Sequence, residues 1–216
     1  MTVFYLVRHG KKEAVRGDAP LSPQGIREAQ ATAHALRAVP IRQVYTSPLL
    51  RAKQTAALIA ACCGLAVIEE ERLRERANWG DLPGQSLAEF VEMWERSTHD
   101  PTYVPPVGDS ARQAGMRMDQ WLRAAGERAP SGKMVMVTHG GLITDFLVTV
   151  LPVEQLRLWH PDFLAVQSRL IPECSITVVR LEQGRATLEH LARVEHLLAL
   201  SPRSQTRDQP EADNGR

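Results

Sequence analysis

Two histidines stand at matched places in this chain. Val3-Phe4-Tyr5-Leu6-Val7 runs into Arg8-His9-Gly10, and Met134-Val135-Met136-Val137-Thr138 runs into His139-Gly140-Gly141. An imidazole can attack phosphorus through an unprotonated ring nitrogen when a carbonyl holds the other nitrogen. A cation and an imidazole at the end of a buried run are costly unless something pairs with them, which suits an anion site. Arg51, just beyond a short strand signal, adds a planar fork that matches phosphate oxygens and keeps its charge. Glu75 could protonate a leaving oxygen and then deprotonate water for a second step. Its neighbours Glu69, Glu70 and Glu71 are competing acids. The plainer readings are a core histidine bonded to backbone, an Arg8 in a structural ion pair, and an Arg51 that bridges helix ends.

The elements around these residues decide whether they meet. The unbroken apolar run before Arg8 reads as a strand buried on both faces. Residues 11–20 are polar and broken by Gly17 and Pro20, so a loop over the strand ends is expected. Ser22 and Pro23 suit the cap and first position of a helix carrying Ile26, Ala29, Ala33 and Leu36 on one face. Gly25 in its first turn fits close packing. Residues 43–47 read as a strand, with Ser47-Pro48 capping an alanine-rich helix over 49–63 that Gly64 ends. A third strand is expected over 66–68. Residues 86–97 read as a helix capped by Ser86, with Leu87, Phe90, Val91 and Trp94 on one face. A loop over 98–109 leads to a long helix ending near Ala129. An apolar helix over 141–151 stops at Pro152, and 175–182 with 186–192 form a hairpin around Gln183-Gly184.

Alternating strands and helices predict an α/β fold with a mostly parallel sheet and helices on both faces. Both histidine-ended strands then point to one sheet edge, where ligands bind in open α/β sheets. No repeat or linker interrupts residues 1–200, which read as a single domain; the polar segment 201–216 is expected to be a disordered tail.

Composition narrows the class. The 216 residues carry 26 basic and 25 acidic side chains, a net charge of +1, which gives no reason for bulk binding to nucleic acid or an anionic membrane. No apolar run nears 18 residues, and a charged motif by residue 8 argues against a signal peptide. Cys62, Cys63 and Cys174 read as buried reduced thiols of a cytoplasmic protein, with no zinc spacing. Lys11 and Lys12 read as solvated loop. Trp79 suits either stacking on a substrate or covering the core, while Trp94, Trp121 and Trp159 read as packing. His34, His99, His160, His190 and His196 are expected on surfaces or loops.

Together, Arg8-His9-Gly10, Leu21-Ser22-x-x-Gly25, Ser47-Pro48-Leu-x-Arg51, Leu73-Arg74-Glu75, Gly108-Asp109-Ser110 and Thr138-His139-Gly140-Gly141, in that order, resemble the histidine phosphatase superfamily, the phosphoglycerate mutase-like group. The resemblance spans residues 3 to about 150 and implies a three-layer α/β/α sandwich. It implies that His9 becomes phosphorylated and that Arg8, Arg51 and His139 bind the transferring phosphoryl group. Glu75 would be acid and then base, and Gly10 and Gly140 would leave room for backbone approach. Ser110 matches a helix cap and Arg117 a structural position. The implied activity is a metal-independent phosphatase acting on a small phosphate ester without a cofactor. A phosphoglycerate mutase and a non-catalytic phospho-ligand binder are the alternatives. The 130-position spacing of the motif histidines resembles the shorter phosphatase branch. Lys11-Lys12 after the first motif, and Gly80 five residues after Glu75 rather than four, depart from the family pattern. Oligomeric state is open, with a homodimer one option.

Overall fold

The computed structural model describes residues 1–200. The expected tail at 201–216 lies outside them. The apolar run at the N-terminus forms β1 (Thr2–Arg8), and the second histidine-ended run forms β4 (Lys133–Thr138). With β2 (Gln43–Thr46), β3 (Val67–Glu69), β5 (Ile176–Glu182) and β6 (Arg185–Arg193) they build one sheet in the order β3-β2-β4-β1-β5-β6. β1 to β4 run parallel, while the C-terminal hairpin joins β1 antiparallel. The two central strands bury alternate residues on opposite faces, as a pleat requires. Phe4, Leu6, Met134 and Met136 meet α4 (Ala111–Arg128) and α5 (Gly140–Val150). Val3, Val7, Val135 and Val137 meet α1 (Pro23–Leu36) and α2 (Leu50–Cys63). The result is the expected α/β/α sandwich.

The ladder between β1 and β4 pairs Val7 with Val137 and Arg8 with Thr138. His9 and His139 therefore leave the sheet side by side, and His9 N–H still donates to Thr138 O at 2.9 Å. The chain after β1 folds onto the first turn of α1. Ser22 Oγ accepts from Gly25 N–H at 3.1 Å, and Ser22 N–H donates to Lys11 O at 2.8 Å. Gly25 is required there: a Cβ would sit 2.0 Å from Lys11 O, and one on Gly10 would sit 2.5 Å from Gly25 O. Gly25→Ala is therefore expected to cost about 1–3 kcal/mol in urea unfolding, as overpacking does. A loss below about 0.5 kcal/mol, the range of ordinary surface changes, would refute this contact.

Several local expectations need correction. Ile26 is exposed, because the buried stripe of α1 passes through Gly25, Ala29, Thr32, Ala33 and Leu36 instead. Ser47 does not cap α2; the loop residue Asp18 does so from a distance, accepting the Leu50 N–H at 2.7 Å. α3 (Leu87–His99) has the capping box at Ser86 and Glu89 but extends past 97, and its apolar face leaves Leu87 and Val91 exposed. Trp159 is exposed rather than packed. Two short helices that no periodicity signalled follow α5, namely α6 (Val153–Trp159) and α7 (Phe163–Val166). Cys62 and Cys63 are half-buried; these and buried Cys174 are free thiols. His196 is half-buried, its Nε2 lying 3.0 Å from Thr32 Oγ1. Among the described residues no helix is long and apolar enough to cross a membrane.

Candidate active site

His9 is buried, and its Nδ1 lies 2.8 Å from Gly10 O. A carbonyl only accepts, so Nδ1 carries the proton and Nε2 keeps its lone pair. Arg51 Nε donates to that Nε2 at 3.1 Å. Burial first, then the neighbouring Arg51 and Arg8 guanidinium groups, hold His9 well below the ordinary histidine range. The ring is thus a neutral base at neutral pH.

His139 is fully buried at the start of α5, 5.1 Å from His9 between ring centroids. Its Nε2 lies 2.7 Å from Ser47 Oγ. Ser47 Oγ accepts the Leu49 N–H and can give its own proton to Nε2. Nδ1 of His139 then carries the ring hydrogen, and it has no partner among the described residues. Two further buried donors are equally free, Arg8 Nε and Arg51 Nη1. Three unpaired buried donors around one imidazole are costly in a protein alone and fit an anion with several oxygens.

Arg8 is anchored from behind. Its Nη1 donates to Ile171 O, and its Nη2 meets Glu173 Oε1 at 2.6 Å. The plainer reading of Arg8 as an ion-pair residue and the anion-site reading thus describe the same side chain. Gly140 stands against it: a Cβ there would fall 3.3 Å from Arg8 Cδ.

Glu75 reaches the same space by a different route. A 3₁₀ turn at Glu71–Leu73 buries Leu73, whose carbonyl accepts from Thr138 Oγ1 at 2.7 Å. Arg117 donates to the carbonyls of Arg72 and Arg74 and pairs with Asp109 at 2.7 Å, so it braces this segment. Glu75 Oε2 accepts from Gly141 N–H and Oε1 from Arg76 N–H, both at 3.1 Å. A Cβ on Gly141 would come 2.8 Å from Glu75 Oε1, so the carboxylate needs that glycine. The competing acids lie elsewhere: Glu69 pairs with Lys53, Glu70 with Arg72, and neither they nor Glu71 line the cavity.

The cavity has a volume of about 690 Å³ and is lined at one end by Arg8, Lys12, Arg51 and Glu75. Beyond that end, Leu87, Phe90, Val91 and Trp94 from α3, Val166 from α7 and Trp79 form an apolar wall, interrupted by Asn78, Thr98, His99 and Arg169. Trp94 therefore faces the cavity as well as packing, and Lys12 is turned inward rather than solvated like Lys11. Ala165, Ser168 and Arg169 join the wall although the sequence singled out nothing there. A buried ion pair holds α3 in place. Arg76 Nη1 meets Asp145 Oδ1 at 2.7 Å, Nη2 donates to Thr98 Oγ1 at 2.6 Å, and the guanidinium lies 3.8 Å over the Trp94 ring. Burial pushes the Asp145 carboxyl up while Arg76 pulls it back. An aspartate inside an otherwise apolar helix was the available signal, since a buried carboxylate needs a partner.

The sequence profile of the histidine phosphatase superfamily (branch 1) matches residues 4–193. The chain belongs to the histidine phosphatase superfamily. Within it, the chain is 35% identical over 163 residues to a probable phosphoglycerate mutase of Yersinia enterocolitica, covering 70% of this chain and 75% of that one. Its fold is similar to that of a phosphoserine phosphatase of Entamoeba histolytica, with a TM-score of 0.72 at 23% identity, over 92% of this chain and 100% of the other. A mycobacterial glucosyl-3-phosphoglycerate phosphatase in complex with inorganic phosphate aligns with a TM-score of 0.68 at 26% identity, over 90% and 98% of the two chains. This superfamily fold carries both phosphatases and mutases, so the choice between them rests on this chain's own cavity.

Proposed function

We propose that this histidine phosphatase is a metal-independent phosphomonoesterase that works through a phosphohistidine on His9. The observation that carries this reading is the His9 ring itself, locked at Nδ1 by Gly10 O with the Nε2 lone pair beside Arg51. Nε2 attacks phosphorus, and the bond to the ester oxygen breaks. Glu75 gives its proton to that oxygen, and the alcohol leaves. The same carboxylate then takes a proton from water, whose oxygen attacks the phosphohistidine and releases inorganic phosphate. Arg8 Nε, Arg51 Nη1 and His139 Nδ1 supply hydrogen bonds to the equatorial oxygens, where charge must be met in the transition state. Because these groups bring the positive charge, the step needs no divalent ion.

The alcohol of the ester lies in the compartment under α3. Its apolar wall of Leu87, Phe90, Val91 and Trp79, interrupted by polar groups such as His99 and Arg169, suits an alcohol with apolar parts, which favours hydrolysis over mutase transfer between the hydroxyls of a glycerate. The relatives support phosphate esters as the substrate class, since one solved neighbour holds phosphoserine. Three free thiols fit a cytoplasmic setting.

A panel of phosphate esters, assayed with and without a bisphosphoglycerate primer and with EDTA, tests the proposal. Phosphate release that ignores both primer and chelator is expected. Primer-dependent isomerisation would make the protein a mutase, and phosphate-ester binding without turnover would make it a binder. Activity lost in EDTA and restored by a divalent ion would overturn the metal-independent step.

A further inference from the structure

The charges at the phosphate end do not match a dianionic ester through the arginines alone. A phosphate monoester carries about −1.5 to −2 at neutral pH. Arg8 spends both terminal nitrogens on Ile171 O and on Glu173 Oε1, and the Glu173 carboxylate at 2.6 Å offsets its charge. Once Glu75 has given up its proton, its carboxylate adds further negative charge beside Arg51. Arg51, beside His9, makes no carboxylate hydrogen bond among the described residues, and it cannot balance two charges by itself.

Lys12 stands in the same space. The antiparallel bridge between Lys12 and Leu21 holds the loop extended, so successive side chains face opposite ways. Lys11 turns outward and donates to Gln24 Oε1 at 3.0 Å. Lys12 turns into the cavity, where its Nζ reaches only the backbone oxygen of Glu13, at 3.4 Å. No carboxylate pairs with it among the described residues. Its ammonium and Arg51 repel each other, and burial with that repulsion lowers its affinity for a proton. The same charge bears on His9. Holding an unpaired cation against a guanidinium is unfavourable unless an anion lies between them.

We propose that Lys12 is a catalytic residue of this site, whose ammonium contacts the transferring phosphoryl group and supplies the positive charge that Glu173 removes from Arg8. This rests on the phosphatase reading above, and it makes Lys12 and Glu173 an opposed pair. Removing the lysine weakens the hold on phosphate, and removing the glutamate strengthens it by freeing Arg8.

Calorimetric binding of inorganic phosphate as the dianion, alongside kcat/KM on one ester, tests the pair in the full chain. Lys12→Met is expected to weaken phosphate binding by about 10–100-fold, the scale of one charge-assisted contact, with little change in melting temperature. Lys12→Arg should keep most of the affinity. Glu173→Gln placed in the Lys12→Met chain should recover about tenfold. A Lys12→Met chain that binds phosphate within about twofold of wild type, or no recovery in the double variant, overturns the proposal. Wild-type phosphate binding that depends on Lys12 but comes with no ester hydrolysis would instead defeat only the phosphatase reading. Absence of phosphate binding by the wild-type chain would overturn both.

Discussion

Replacing His9 with alanine is expected to lower turnover by about 10⁴-fold or more, because the atom that forms the covalent bond to phosphorus is gone. The chain should still fold. β1 is held by ladders to β4 and β5 that do not involve the imidazole. The main structural cost is the Arg51 Nε donor left without His9 Nε2, about 1–3 kcal/mol for a buried unpaired group. Direct support comes from the intermediate. Wild-type protein quenched during turnover of a labelled ester should carry acid-labile label on His9 alone. Label on any other residue would show that the nucleophile is misassigned. Lowering the pH should cost activity by protonating Nε2. Because burial and Arg51 hold that nitrogen well below the ordinary histidine range, the loss that belongs to free His9 should set in below the usual value near 6.5.

The second large effect belongs to Glu75. Glu75→Gln keeps the shape and removes the transferable proton. One amide oxygen can still accept from Gly141 N–H, while the Arg76 N–H loses its acceptor. With alkyl phosphates the leaving alkoxide needs that proton, so phosphorylation of the enzyme should slow by about 10²–10⁴-fold. With p-nitrophenyl phosphate the leaving phenolate is stable unprotonated, and that step should be far less affected. Hydrolysis of the phosphohistidine still needs the base. A burst of nitrophenol followed by slow turnover is therefore expected in rapid-mixing experiments. Equal losses on both esters without a burst would assign Glu75 a binding or structural role. Glu70 would not be the natural substitute, since Arg72 holds both its oxygens at 2.6 and 2.8 Å.

Both effects depend on supports that do not touch the ester. Arg117 and Thr138 Oγ1 set the backbone that carries Glu75. The Arg76–Asp145 pair ties α3 to α5 and so shapes the alcohol compartment.

What the sequence by itself determined is local. The apolar runs, their abrupt ends at Arg8-His9-Gly10 and Thr138-His139-Gly140, and the serine caps specify strands, turns and helix starts, because each is governed by neighbours within one turn or one pleat. Parallel pairing of two such strands was enough to put His9 and His139 at one sheet edge, and Arg51 followed from its place in the first turn after β2. Tertiary structure decided the rest. Periodicity shows which face of a helix is apolar but not what covers it, so Leu87, Val91 and Trp94 share a face in the sequence while only the fold shows that α3 turns this face toward a cavity. Residues 11–20 and 76–86 have no period at all. The Leu73-Arg74-Glu75 motif favours Glu75 over Glu69–Glu71, but only packing against α4, β4 and α5 places its carboxylate, and only the bridge to Leu21 turns Lys12 inward. Glu173 and Asp145 depend on partners 165 and 69 residues away, Arg8 and Arg76. Such pairings are set by the folded sheet bringing distant segments into the same low-dielectric space, where a charge without its partner would be too costly to keep.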